Sequence, residues 1–161
     1  MIVQALKWIG GADGFLELVD QRRLPAEFVK LQCRDIEQLY EAITTLAVRG
    51  APAIGVSAAY GLVLAMQKLK PADGLEQGLK VLAESVEYLS SSRPTAVNLF
   101  WALERICQNA KDFATRQPKQ QCKNCARLFW PRRMLFVRKM WICAGGLVKT
   151  EKGLSKKVQV F

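Results

Sequence analysis

The sequence predicts an α+β domain, an N-terminal antiparallel β-meander followed by a four-helix bundle, and three observations lead there. The first thirty or so residues are short strand-like runs separated by turn residues. From Asp35 the spacing of apolar residues becomes helical and stays so to about residue 113. The chain has 161 residues, half of them hydrophobic, which is room for about one domain of ordinary size (~100–150 residues) with a buried core.

The strands come first. Ile2 to Trp8 and Phe15 to Val19 have strand-like composition, and Gly10-Gly11-Ala12-Asp13-Gly14 between them carries residues that tolerate positive φ in a hairpin loop. After Leu24-Pro25, Glu27 to Gln32 alternates polar and apolar residues and completes the meander.

Four helices follow. Asp35 and Gln38 form a capping box ahead of a stripe of Ile36, Leu39, Tyr40, Ile43 and Leu46 or Ala47, and this helix is expected to end at Arg49-Gly50. The second starts at Ala51-Pro52, where proline's missing N–H costs nothing. It runs uncharged to about Gln67, and its Ala, Gly and Ser content suits a central core helix rather than a membrane span. The third spans Leu75 to Ser90 with Leu79, Leu82, Val86 and Leu89 inward, and Ser90-Ser91-Ser92-Arg93-Pro94 breaks it. The fourth runs from about Thr95 to Phe113, with Val97, Trp101, Leu103 or Glu104, and Ile106 at its turns. Beyond about residue 115 neither period persists.

Charge divides the chain at the same place. Residues 1–110 hold 11 Lys/Arg against 12 Asp/Glu, and residues 111–161 hold 13 against 2. The net charge of +10 therefore belongs to the tail. Residues 1–115 are expected to be the folded unit, and 116–161 a basic, poorly packed tail. Such a tail could attract nucleic acid, but it holds no recognisable module, so no specific nucleic-acid partner and no membrane partner are expected.

Few residues offer chemistry. The five cysteines are odd in number and widely spaced, with no secretory leader ahead of them, which points to a reducing, cytoplasmic compartment. Cys122 and Cys125 have zinc-knuckle spacing, yet with only Cys143 downstream and no histidine in the chain a structural site lacks its fourth ligand. No metal is expected. The same lack of histidine leaves the Ser90–Ser92 run without a general base.

The most suggestive pattern is a pair of junctions, Val48-Arg49-Gly50-Ala51-Pro52-Ala53 and Ser92-Arg93-Pro94-Thr95-Ala96. Each puts an arginine just ahead of a proline-started helix, whose first amides are unpaired and carry the positive end of the helix dipole. Two such ends converging would hold a phosphate, with guanidinium groups adding bidentate contacts and Gly50 allowing close approach. The alternative is that Arg49 and Gly50 merely finish the preceding helix, a cation in its last turn and a glycine just past it.

Ala47-Val48-Arg49-Gly50-Ala51-Pro52-Ala53-Ile54-Gly55 with Ala58-Ala59-Tyr60-Gly61, then Ser92-Arg93-Pro94-Thr95-Ala96-Val97-Asn98-Leu99-Phe100-Trp101-Ala102, closely resemble the methylthioribose-1-phosphate isomerases. Leu6-Lys7-Trp8 and Leu18-Val19-Asp20-Gln21 with Leu24-Pro25 fit that family's first strands. The resemblance covers about residues 1–115. It implies a cofactor-free aldose–ketose isomerisation of methylthioribose 1-phosphate in methionine salvage, with Arg49, Gly50, Ala51 and Arg93 at substrate-binding positions and a homodimer in full-length members. It also implies that the family's catalytic cysteine and aspartate, in a C-terminal Rossmann-like domain, have no counterpart here, so this chain alone is expected to be inactive.

The family has an acidic helix where this chain has its tail. Shifting Met140-Trp141-Ile142 to the third codon base forces Val-Asp, and permitted codons continue in family-like residues, so the tail reads as non-native and translated in a shifted frame. Two alternatives stand beside the isomerase reading: a non-catalytic regulatory or assembly module, like the translation-initiation relatives of these isomerases, and a basic nucleic-acid-binding protein.

Overall fold

The computed structural model describes residues 4–11, 13–70 and 73–116. The basic tail with Cys122, Cys125 and Cys143 lies outside the described residues.

Three antiparallel strands, β1 (Leu6–Ile9), β2 (Phe15–Val19) and β3 (Lys30–Cys33), form a sheet in the order β1-β2-β3. The register sets Trp8 opposite Leu16 and Leu16 opposite Cys33. Because neighbours along a strand point to opposite faces, Leu16, Leu18 and Cys33 are buried together. The other face carries Glu17, paired with Lys30 at 2.9 Å, and Phe15 beneath the Arg34 guanidinium. β3 begins at Lys30 rather than Glu27, since Phe28 is 55% exposed and has no partner strand.

Helix α1 (Ile36–Thr44) starts as expected at Asp35, whose carboxylate accepts the Gln38 amide at 2.8 Å. The return bond of the box is displaced by one residue, because Gln38 Oε1 accepts from the Arg34 amide. The helix ends five residues before the expected Arg49. Leu46 takes φ 62°, its amide donates to the Ile43 carbonyl, and the Ala47 amide donates to the Ala42 carbonyl, the bond pair of a Schellman stop. Ala47 and Val48 are buried in this turn, which is why their apolar character prolonged the helical pattern.

A leucine in the left-handed region costs roughly 1–2 kcal/mol, and Leu46 is exposed. Leu46→Gly is therefore expected to stabilise the protein by about 0.5–1 kcal/mol, the relieved strain less glycine's greater unfolded entropy. Urea denaturation checks it, and a lower midpoint would contradict it.

Helix α2 (Ala51–Met66) is buried along most of its length and touches α1, α3 and α4, the central position its lack of charge predicted. Helix α3 (Leu75–Ser92) runs through the serines instead of breaking at them. Their hydroxyls donate to carbonyls one turn back, at Val86, Tyr88 and Leu89, which satisfies them within the helix. The break comes at Arg93, the residue before Pro94.

Helix α4 (Val97–Arg116) starts two residues later than expected. Its buried stripe is Leu99, Ala102, Leu103 and Ile106, while Val97 and Trp101 are 77% and 48% exposed, so the apolar face is rotated from the expected one. Trp101 lies under the Arg105 guanidinium instead.

Candidate functional site

Both arginine junctions lie at one end of the bundle. Thr44 Oγ1, at the end of α1, donates to the Ser92 carbonyl at the end of α3 across 3.5 Å. The next helices, α2 and α4, then start side by side: a Cβ placed on Gly55 would stand 3.2 Å from the Asn98 carbonyl oxygen and 3.7 Å from Ala102 Cβ. The absence of a side chain at Gly55 thus brings the first turn of α4 against the second turn of α2.

Gly50 precedes α2 with φ 88° and ψ 133°, a conformation that favours glycine, although a Cβ there would meet nothing within 4 Å. The dihedrals, not space, require it. Gly50 is therefore the N-cap of α2 and not the residue closing α1, a place taken by Leu46. With no side chain to cap the helix, the amides of Ala51 and Ala53 donate to no other described residue. In α4 the amides of Val97 and Asn98 are likewise without acceptors among the described residues, and the first bonds are Leu99 and Phe100 to the Ala96 carbonyl.

Arg49 is exposed, and its Nε donates to the Leu46 carbonyl at 3.1 Å. One edge of the guanidinium thus secures the turn and leaves the terminal nitrogens for other use. Arg93 is half-buried and forms no ion pair or side-chain hydrogen bond among the described residues. Two cations and two uncapped helix ends, with no carboxylate paired to either arginine among the described residues, make this end of the bundle suited to an anion.

A feature with no role in the sequence reading flanks it. In the turn after β2, Asp20 is only 1% exposed, and its carboxylate accepts from Arg22 Nε at 2.8 Å, Nη2 at 2.6 Å and the Arg22 amide at 3.0 Å. The next residue, Gln21, donates from its amide to the Ala47 carbonyl at 3.0 Å and from Nε2 to the Arg49 carbonyl at 3.5 Å. Leu18-Val19-Asp20-Gln21 entered the sequence reading only through its resemblance to the family's first strands.

The Arg22 guanidinium, acting against the effect of burial, holds the Asp20 carboxyl down at about 2, from an ordinary 3.8. A group with a lowered folded-state value stabilises the fold above its unfolded value and loses that contribution as pH falls through the folded value. Stability is therefore expected to drop between about pH 4 and pH 2. Asp20→Asn should flatten that limb in acid denaturation curves, and an unchanged curve would deny the pair its role.

Burial pushes the Cys33 thiol up to about 11, so it stays protonated and unreactive near neutral pH. Among the described residues no three His, Cys, Asp or Glu side chains gather as metal ligands. No described helix is long and apolar enough to cross a membrane.

Comparison with known proteins decides the family. Residues 47–153 match the model of the initiation factor 2 subunit family. The chain belongs to that family. Family members resembling it include a methylthioribose-1-phosphate isomerase of Syntrophotalea carbinolica, 46% identical over 110 residues, which are 68% of this chain and 32% of that protein. One of Thioalkalivibrio sulfidiphilus is 52% identical over 104 residues, 65% of this chain and 28% of that protein. A Moorella thermoacetica protein named 5-deoxyribose 1-phosphate isomerase is 48% identical over 109 residues, 66% of this chain and 30% of its own. The chain thus spans about a third of the length of the curated relatives it matches.

Solved structures agree on the fold. The delta subunit of translation initiation factor eIF-2B from A. fulgidus superposes with a TM-score of 0.67 at 32% identity, over 86% of this chain and 36% of that one. The 5-methylthioribose 1-phosphate isomerase of Pyrococcus horikoshii gives 0.66 at 32% identity with the same coverage. The expected β-meander and four helices are the family's architecture over this stretch.

Proposed function

We propose that this chain carries the phosphate-binding part of a methylthioribose-1-phosphate isomerase, an aldose–ketose isomerase of methionine salvage, and that it does not itself perform the proton transfers. The observation that carries this reading is the pairing of two helix N-termini without side-chain caps at Gly55–Asn98, each preceded by an arginine that forms no ion pair among the described residues. The names of relatives at 46–52% identity supply the sugar phosphate.

In this reading Arg49, Gly50, Ala51 and Arg93 hold the substrate's phosphate. Charge-assisted bonds to a guanidinium are the strong kind, and helix amides add donors that need no reorganisation. The described residues supply the anchor but not the chemistry: isomerisation moves a proton between neighbouring carbons and needs an acid and a base with values near the working pH. Asp20 is spent on Arg22 and Cys33 is buried as a thiol.

The solved eIF-2B delta subunit fits this fold as well as the solved isomerase does, so a regulatory module of the same family is the competing reading. Calorimetric titration of the 161-residue chain with methylthioribose 1-phosphate separates them. Saturable one-to-one binding, competed by inorganic phosphate and without turnover, is expected. Absence of binding at millimolar substrate would favour the regulatory module, and turnover would end the proposed division of labour. The reading of the tail as shifted-frame sequence is checked by the coding DNA, where the shifted frame should encode an acidic, family-like continuation.

A further inference from the structure

The site just described does not use the Asp20-Gln21 turn, yet that turn is built with more hydrogen bonds than a connection between strands requires. Asp20 is tied at its amide to the Val29 carbonyl, at its carbonyl to the Arg23 amide and at its buried carboxylate to Arg22. Gln21, held on this frame, reaches the carbonyls of Ala47 and Arg49 in the turn between α1 and α2.

We propose that Gln21 is a positioning residue for the anion site, and that by fixing the Arg49 carbonyl it aims the Gly50 amide at the bound phosphate. This rests on the anion-site reading above. The argument is the geometry of the peptide group. In a planar trans peptide the C=O of one residue and the N–H of the next point in opposite directions, so gripping the carbonyl aims the amide.

The first of the two peptides shows the effect within the protein. The Ala47 carbonyl accepts the Gln21 amide at 3.0 Å, and the Val48 amide on the same peptide points the other way, to the Ala42 carbonyl. The second repeats the arrangement with one difference. The Arg49 carbonyl accepts Gln21 Nε2, and the Gly50 amide, directed away from the β2–β3 turn, meets no acceptor among the described residues. Gly50, at φ 88°, also lacks the side chain that restricts rotation of its peptide planes elsewhere. Gln21 thus selects one orientation of a donor that glycine would otherwise let turn.

The test follows backbone amides of the ¹⁵N-labelled 161-residue chain by NMR during titration with methylthioribose 1-phosphate. In the unaltered protein the amide signals of Gly50, Val97 and Asn98 should all move. In Gln21→Ala the Gly50 movement should be largely lost while Val97 and Asn98 still respond. Affinity should fall about twofold to tenfold, the value of one hydrogen bond, and the thermal midpoint should hold. Gln21→Met keeps most of the bulk and removes the donor without adding charge, so it should behave alike and guards against a folding defect.

A Gly50 response and affinity that survive in both variants would overturn the positioning role while leaving the anion site standing. A response at Val97 and Asn98 without one at Gly50 in the unaltered protein would do the same. No response at any of the three would overturn the anion site and this inference with it.

Discussion

Replacing Arg93 by alanine is expected to weaken the binding of methylthioribose 1-phosphate about tenfold or more, with the thermal midpoint nearly unmoved. The side chain is half-buried at the C-terminal end of α3, just before α4, and has no ion pair or side-chain hydrogen bond among the described residues, so its removal breaks nothing the fold relies on. A hydrogen bond to a charged group is worth about 1.5–3 kcal/mol, and 1.4 kcal/mol is about tenfold in affinity. Arg93→Lys should recover only part of the loss, since an ammonium does not reproduce the planar fork. Arg49→Ala should show a similar loss with a small cost in stability, because it also releases the Leu46 carbonyl. Calorimetry at fixed ionic strength, alongside thermal melts, reads both quantities. Unaltered affinity in the Arg93 variant would remove that residue from the site.

A large effect on stability is expected at Gly55, where α2 meets α4. A leucine there would drive its branches into the α4 backbone, since even Cβ stands 3.2 Å from the Asn98 oxygen. Overpacking of this kind costs about 1–3 kcal/mol. Because it parts the two helix starts, substrate affinity should fall with it. Gly55→Ala is the control: alanine's greater helix propensity, about 1 kcal/mol, offsets a contact tight by only a few tenths of an ångström. Urea denaturation of both variants decides, and a leucine variant as stable as the parent would mean that α2 and α4 do not meet this closely.

The helix starts were the most legible part of the sequence, because their causes are local. Asp35 with Gln38, and Pro52 just inside α2, announce starts within one turn of chain. The ends were harder to read. The stop at Thr44 depends on Leu46, a residue whose left-handed backbone is imposed by the burial of Ala47 and Val48 beside it, and no local rule places a leucine there. The serines of α3 misled for the opposite reason: polar side chains that commonly break a helix can bond back into it. The orientation of α4 was misread because an exposed tryptophan resembles a buried one in a hydrophobic pattern.

The two arginines of the candidate site stood out in the sequence because each shortly precedes a proline, Arg49 by three positions and Arg93 by one. Their arrival at one end of the bundle follows from helices that run up and down in turn, so that every second junction shares an end. Gln21 had no such signature. It acts through backbone carbonyls some thirty positions away in sequence, and only the folded chain brings them together.

The side-by-side starts of α2 and α4 have a consequence for folding. Two dipoles laid alongside each other with like ends together oppose one another. If the proposed site holds an anion, that anion offsets the repulsion, and its binding adds stability that grows with the logarithm of its concentration. On the proposed reading phosphate, sulfate and substrate take part in folding: the buffer becomes a component of the protein, and the melting temperature a property of the solution as much as of the chain.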